Sequence, residues 1–298
     1  MPSFRKQISN SAKHASGMMK QVQGSLIQSV GTVRNYEQQV KQCAEYLKEN
    51  QLGTLHQLTV EQANGYLRER AETASQSSVD MTRQALEVIM REVTHQLPQG
   101  QHLDVVKSER QSVLSSRAYS SPQVHAIIER QTPPHALATA IAYDAGLRAH
   151  ELHTLAPVDV RPPDVRVSAA DKFAGRGGVA YSVVGKGGLC REVRISEPLA
   201  KQLEASRHPT PQPVTDRGIR YQSMYNIGGG QKWSNSFSAA SSRALGWSYG
   251  AHGVRHAFAQ ERMQTLQFNE LLPREEALRV VSQEMGHFRP DITEVYLR

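Results

Sequence analysis

Residues 286–298 read "GHFRPDITEVYLR" and set His287 nine positions ahead of Tyr296. Just before them, "PREEALRVVSQEMG" (273–286) has helical spacing. Pro273 suits its first helical position, and Glu275 and Glu276 stand where the helix dipole favours acid. The short break at "HFRP" then aims a second, tyrosine-bearing helix. An imidazole and a phenol thus stand nine positions apart across a break, and the question is what that interval serves.

Three fragments upstream supply basic residues. "GLRAHEL" (146–152) has Arg148 three residues ahead of Glu151, "GKGG" (185–188) puts Lys186 in a glycine-rich hairpin turn, and "HGVRH" (252–256) groups His252, Arg255 and His256. Residues three apart at a helix start share a face, so His252 and Arg255 can reach one anion together. Taken singly the fragments are ordinary: a helix arginine pairing with an acid one turn on, a solvated turn lysine, a surface histidine beside an arginine. The order Arg, Lys, His-x-x-Arg, His, Tyr is not ordinary.

That order and these local contexts resemble the catalytic domain of the tyrosine recombinases, the phage-integrase-like enzymes that break and rejoin DNA. The family pattern is G-(L/M)-R-x-x-E-(L/I), a hairpin lysine, H-x-(L/V)-R-H, then (L/M)-G-H with the nucleophilic tyrosine nine residues after that histidine. Here it reads "GLRAHEL", "GKGG", "HGVRH" and "MGHFRPDITEVY". The match is sharp over 134–296. Before that, "TVRNYEQQVKQCAEYL" and "LTVEQANGYLRER" are similar to the first helices of the family's core-binding domain.

The resemblance implies a role for each matched residue. Tyr296 would attack the scissile phosphate and form a 3′-phosphotyrosine link, dividing one hard step into two. A phenol titrates near 10, roughly, so it needs a proton acceptor, and His252 is the candidate. Arg148 and Arg255 would hold the non-bridging oxygens, a planar guanidinium matching phosphate geometry, and would stabilise the transition state by preorganised charge. Lys186 would protonate the departing 5′-oxygen; Lys172 and Arg176, in a neighbouring glycine-rich segment, are the other basic groups at hand. His287 would donate a hydrogen bond to a phosphate oxygen. Glu151 and His256 would orient Arg148 and the helix start. Neither a metal nor any other cofactor is implied, because arginines supply the charge neutralisation. Only Leu297 and Arg298 follow Tyr296, from which action of the tyrosine within its own protomer is expected.

The rest of the chain organises around this. Val33, Tyr36, Val40, Ala44 and Leu47 recur at three and four residues, so 29–50 is expected as an amphipathic helix, preceded by about 25 residues without one. A second helix starts after Thr59, which forms a capping-box pattern with Gln62, and a third lies within 77–97. The stretch 98–123 has weak periodicity and many Ser, Gln and Pro, the composition of a connection, which is placed over 106–130. Helical spacing returns at 133–152, then "VRVSA" (165–169), "GVAYSVV" (178–184) and "REVRIS" (191–196) alternate as three strands, the last two joined by "GKGGLC". Helices follow at "LAKQLE", "SNSFSAASSRALG" and "HGVRHAFAQERMQTL". The fold class is mainly α with a small antiparallel β-sheet in the second domain. The architecture is a helical core-binding domain over 1–105, a connection over 106–130 and an α+β catalytic domain over 131–298.

Composition agrees with a polyanionic partner. The net charge is +7, and Lys and Arg laid along phosphates are rewarded by released counterions. Two cysteines 147 positions apart make neither a disulfide framework nor a zinc motif. No apolar run reaches the roughly 18 residues of a membrane span and no signal-peptide core opens the chain, so the default location is the cytoplasm, at the nucleoid when on DNA. The resemblance implies double-stranded DNA with inverted-repeat core sites as partner, a homotetramer on it, and an accessory DNA-bending or directionality protein as an optional addition. Arg34, Lys41, Arg83 and Arg91 on the first domain's helices are candidate phosphate contacts.

Four readings follow. The long segment 206–233, "SRHPTPQPVTDRGIRYQSMYNIGGGQKW", exceeds a compact housekeeping enzyme and favours a mobile-element integrase over an Xer-like dimer-resolving recombinase. A type IB topoisomerase-like enzyme would use the same pocket as a monomer. A DNA-binding regulator that has lost cleavage would lack the tyrosine or an arginine, and here all six matched positions hold reactive types.

Overall fold

The structure is a computed structural model that describes residues 10–27, 30–111, 115–165, 169–185 and 187–298. The chain divides into two compact units, Met1–Val113 and Leu114–Arg298.

The first unit is helical: α1 Asn10–Val22, α2 Val30–Glu49, α3 Val60–Thr73 and α4 Gln76–Glu92. The expected stripe on α2 is the buried one, with Val40 and Leu47 fully covered and Tyr36 and Ala44 packed against the same core. The α2 helix packs on α1 and α4, and the Thr82 hydroxyl ties α4 to α2 by donating to Gln39 Oε1 at 2.8 Å. Helix α3 opens with the capping box: the Gln62 N–H donates to Thr59 Oγ1 at 3.2 Å, and the Thr59 N–H donates to Gln62 Oε1 at 3.0 Å. Helix α1 is an addition to the expected set. Its Ala15, Met18, Met19 and Val22 join the core at the spacing of one helical face, in a stretch where that face holds few large apolar groups.

The second unit begins sooner than the composition of 106–130 suggests. Helix α5, Ser121–Ile128, carries a capping box between Ser120 and Gln123 and a proline in its first turn, and it buries Val124 and Ile127. Eight residues of that stretch are therefore helix rather than connection, held by two apolar side chains that a periodicity reading passes over. Helix α6, Pro133–Ala145, ends at Gly146, whose φ of +61° is the left-handed C-cap conformation. A Cβ there would also lie 2.4 Å from the Phe258 ring, so the glycine is required twice.

A short 3-10 turn, Glu151–Thr154, leads to a three-stranded antiparallel sheet in the order β1-β2-β3, made of Ala156–Pro157, Val179–Val184 and Cys190–Ile195. The β2–β3 hairpin is as expected, with Val184 paired to Cys190 across the glycine turn. The expected third strand, "VRVSA", falls largely outside the described residues. Of that segment 166–168 lie outside the described residues, and Val165 is outside any strand and 98% exposed. Ala156 and Pro157 pair with Ser182 and Tyr181, on the sheet edge, where a missing N–H costs nothing.

After α7, Glu197–Ala205, comes a second antiparallel pair, β4 Arg207–Asp216 and β5 Ile219–Tyr225, within the long segment 206–233. The two-residue turn Arg217–Gly218 closes it. Pro209, Pro211 and Pro213 lie in β4, which has a partner on one side only, so their missing N–H groups are tolerated on the open edge.

Four helices complete the unit: α8 Gly230–Leu245, α9 His252–Phe268, α10 Arg274–Glu284 and α11 Pro290–Glu294, followed by the 3-10 turn Val295–Leu297. Pro273 is the N-cap of α10 rather than its first residue, and Glu275 and Glu276 occupy the first turn as expected. Among the described residues no helix is long and apolar enough to cross a membrane.

Candidate active site

Four segments of the second unit bring the predicted residues together. The C-cap of α6 delivers Arg148, the 3-10 turn delivers Glu151, the start of α9 delivers His252, Arg255 and His256, and the stretch after α10 delivers His287 from its break and Tyr296 from the 3-10 turn beyond α11 rather than from a helix. In that break Gly286 has a φ of +71° and Phe288 one of +56°; Arg289 is extended, and Pro290 then opens α11.

Glu151 is the hub. It is fully buried and accepts from the Arg148 backbone N–H at 2.7 Å, Arg148 Nη1 at 2.9 Å and Arg191 Nη2 at 2.9 Å, with Arg255 Nη1 at 3.9 Å. Burial pushes its carboxyl up, but the charges of Arg191, Arg255 and Arg148 together with the Arg148 N–H outweigh burial and hold it at about 2.

Arg255 is fully buried as well. Its Nη1 donates to the Gly146 carbonyl, its Nη2 donates to the Met285 carbonyl at 2.5 Å and lies 3.1 Å from His287 Nε2, and its Nε has no partner among the described residues. Burial and the neighbouring Arg148 lower its pKa to about 9, so it remains a cation at neutral pH. The Tyr296 ring stands over it, 5.6 Å from guanidinium carbon to ring centroid. Arg148 keeps 21% of its side chain exposed, so an anion arriving from solvent meets Arg148 first and Arg255 beneath the tyrosine.

Tyr296 is 8% exposed and sits among three imidazoles of its own chain. Ring centroids lie at 4.6 Å to His256, 5.1 Å to His287 and 5.4 Å to His252. Its carbonyl and that of Arg298 both accept from Gln260 Nε2, at 3.2 and 2.9 Å, which fixes the last turn against α9. All three histidines are held neutral. Burial leads in each case; Arg255 and other cations add to it, lowering His252 to about 4 and His287 to about 3, and Arg117 lowers His256 further. A neutral His252 beside the phenol is able to accept a proton.

Lys186 lies outside the described residues. Of the other two basic groups, Arg176 pairs with Asp144 at 3.4 Å and covers Phe258, which makes it structural. Lys172 stands 4.7 Å over the Phe173 ring and donates to the Glu192 carbonyl at 3.4 Å; burial and the nearby Arg191 lower its pKa. In the first unit Arg34 is exposed, Lys41 pairs with Glu45 at 3.6 Å, Arg83 with Glu87 at 2.8 Å, and Arg91 donates to the Gln101 carbonyl at 2.7 Å. Among the described residues no three His, Cys, Asp or Glu side chains are grouped to hold a metal.

Arg191 was not foreseen as part of the site. It is 3% exposed, bound to Glu151, and lies on β3. A signal was available: side chains alternate along a strand, so Arg191 shares the face of Val193 and Ile195, both buried. An arginine on the core face of a strand needs a buried partner.

Comparisons with known proteins bear on the fold. Residues 26–96 match the phage integrase N-terminal SAM-like domain. No curated protein sequence matches the chain. Among solved structures, the lambda integrase tetramer bound to a Holliday junction is similar at a TM-score of 0.59 and 14% identity, over 97% of this chain and 76% of that one. XerH recombinase in a post-cleavage complex with a palindromic difH substrate is similar at 0.57 and 14%, over 97% and 90%. The Tn1549 transposon integrase with transposon right end DNA is similar at 0.54 and 13%, over 95% and 94%. At such identities the likeness is one of fold. The chain thus shares the fold of these recombinases and, over 26–96, carries a match to the phage integrase N-terminal SAM-like domain.

Proposed function

We propose that the protein is a site-specific DNA recombinase that cleaves and rejoins strands through a 3′-phosphotyrosine at Tyr296. The observation that carries this reading is the gathering of Arg148, Arg255, His252, His256, His287 and Tyr296 in one pocket of one unit. Tyr296 Oη attacks phosphorus while the neutral His252 takes the phenolic proton, and the bond to the 5′-oxygen breaks. Arg148 and Arg255 balance the charge that accumulates on the non-bridging oxygens. The departing 5′-oxygen takes a proton from a lysine, Lys186 by its place in the hairpin turn, with Lys172 the second candidate. Rejoining reverses these steps, and the phosphotyrosine conserves the bond energy.

The substrate is double-stranded DNA with inverted-repeat core sites, bound by four protomers, and an accessory DNA-bending or directionality protein fits the same scheme. Arg34 and Lys41, seven residues apart on α2, would face phosphates; Lys41, Arg83 and Arg91 are engaged within their own unit and would reach DNA only by exchanging partners. The protein would work at the nucleoid. Integration and excision of a mobile element is the leading setting. Dimer resolution is the second, favoured by the likeness that spans 90% of XerH.

The test is covalent capture. Fragmented genomic DNA of the source organism is incubated with the protein, the mixture is denatured, and protein-linked ends are sequenced beside a Tyr296→Phe control. Adducts clustered at one inverted repeat and absent from the control support the recombinase. Scattered adducts dependent on Tyr296 point to a topoisomerase-like enzyme, and no adduct at all contradicts strand cleavage.

A further inference from the structure

Three guanidinium groups surround one carboxylate in this site, and only two of them, Arg148 and Arg255, have a part in the reaction scheme above. The third, Arg191, is sealed from solvent and cannot reach a phosphate without unfolding the sheet edge. Its two terminal nitrogens go to different places. Nη2 donates to Glu151 Oε2 at 2.9 Å, and Nη1 donates to the Glu284 carbonyl at 2.6 Å, at the end of α10. Arg255 Nη2 takes the very next carbonyl, that of Met285. Two arginines on different elements thus hold consecutive carbonyls where the helix ends, and the chain turns at Gly286 to present His287. The turn is built around Arg191: a Cβ on Gly286 would stand 2.6 Å from Arg191 Cδ and 2.9 Å from its Nε.

We propose that Arg191 is a positioning residue for strand cleavage, setting Glu151, and through it Arg148, in register with the turn that carries His287 and Tyr296. The role rests on the recombinase reading. Its physical content is twofold. Glu151 with three guanidiniums carries two net positive charges, matching the two negative charges a phosphoryl group approaches in its five-coordinate state, and that field is in place before DNA arrives. One rigid fork also spans Glu151 and the end of α10, which a lysine ammonium, a single point of charge, does not. Without Arg191, Glu151 still has Arg148 and Arg255, so no lone buried charge remains and the variant is expected to fold.

The experiment compares wild type, Arg191→Met and Arg191→Lys in three measurements: first-turnover adduct formation with fragmented genomic DNA at saturating concentration, affinity for the same DNA, and the 15N spectrum of the His287 ring. Arg191→Met is expected to slow adduct formation by about a hundredfold, the order of loss from an ångström of misplacement. Its DNA affinity stays within a few fold of wild type, and the His287 ring signals shift. Arg191→Lys, which restores charge but not the bridge, falls between the two. A rate for Arg191→Met within threefold of wild type overturns the proposal, as does a loss that merely tracks a smaller folded fraction. If wild type forms no adduct, the recombinase reading fails, and the ring spectrum alone decides: an unshifted His287 in Arg191→Met overturns the positioning role.

Discussion

Arg255 Nη2 lies 3.1 Å from His287 Nε2, and the chemistry of the two groups fixes the direction of that hydrogen bond. A guanidinium only donates, so Nε2 is the acceptor and the ring proton sits on Nδ1, 2.9 Å from Thr293 Oγ1. The nitrogen facing the pocket is therefore a lone pair, and the donor role towards a phosphate that the resemblance implies would require the opposite tautomer.

That tautomer is measurable. With burial and the Arg255, Arg148 and Arg191 charges lowering its pKa to about 3, His287 should stay neutral, protonated on Nδ1, from pH 8 to pH 5. Long-range 15N–1H correlation of the ring reads this directly. Thr293→Val removes the partner of Nδ1 and should cost about 1 kcal/mol. An imidazolium spectrum at pH 6 contradicts the arrangement.

The same lowering makes the second unit acid-sensitive. His252 and His287 titrate near 4 and 3 when folded and near 6.5 when unfolded, and His150, His153 and His256 are lowered in the same direction. As pH falls below 6.5 the unfolded chain takes up protons that the folded chain refuses, so stability declines. Glu151, held at about 2 against an ordinary 4.5, extends the decline below pH 4.5. The two tryptophans, Trp233 and Trp247, both belong to this unit, so thermal unfolding followed by tryptophan fluorescence reports on it alone. Its Tm should be level above pH 7 and fall steadily from 6.5 downward; a flat profile to pH 5 contradicts the assignment.

Arg262 and Glu284 form a buried bidentate pair at 2.9 and 2.7 Å between α9 and α10. Removing one partner, as in Arg262→Met, should cost about 3–5 kcal/mol, whereas Arg262→Met with Glu284→Leu should recover most of it, because no unpaired charge remains. The Glu284 carbonyl that holds Arg191 belongs to the backbone and survives both changes. Chemical denaturation of the single and double variants checks the order.

Much of this was legible in the sequence, for identifiable reasons. The apolar stripe of α2 and the Thr59–Gln62 box are local patterns, and local patterns survive folding unchanged. The gathering of the candidate residues was legible because several of them follow the glycine or precede the acid that their geometry needs: Gly146 before Arg148, Gly286 before His287, Glu151 after Arg148. What was missed depends on neighbours distant in sequence. The β4–β5 pair is masked by three prolines that only an open strand edge tolerates. Arg191 reads as one more charged residue until its strand face is known. Helix α1 contributes small and flexible side chains whose burial is set by α2 and α4.

Tyr296 lies against the histidines of its own chain, and cleavage within one protomer is the expected outcome. Mixing Tyr296→Phe protein with Arg255→Ala protein should give no covalent adduct above either alone. Activity restored by mixing would mean that the tyrosine crosses to a neighbour.

The central claim is a covalent bond between DNA and Tyr296, and mass spectrometry of the trapped complex tests it most directly. Adducts captured on fragmented genomic DNA would be digested with nuclease and protease and the modified peptide sequenced. The expected product is a peptide containing Tyr296 with a nucleotide joined through its 3′-phosphate to that residue. A nucleotide on any other residue, or one joined through a 5′-phosphate, would contradict it.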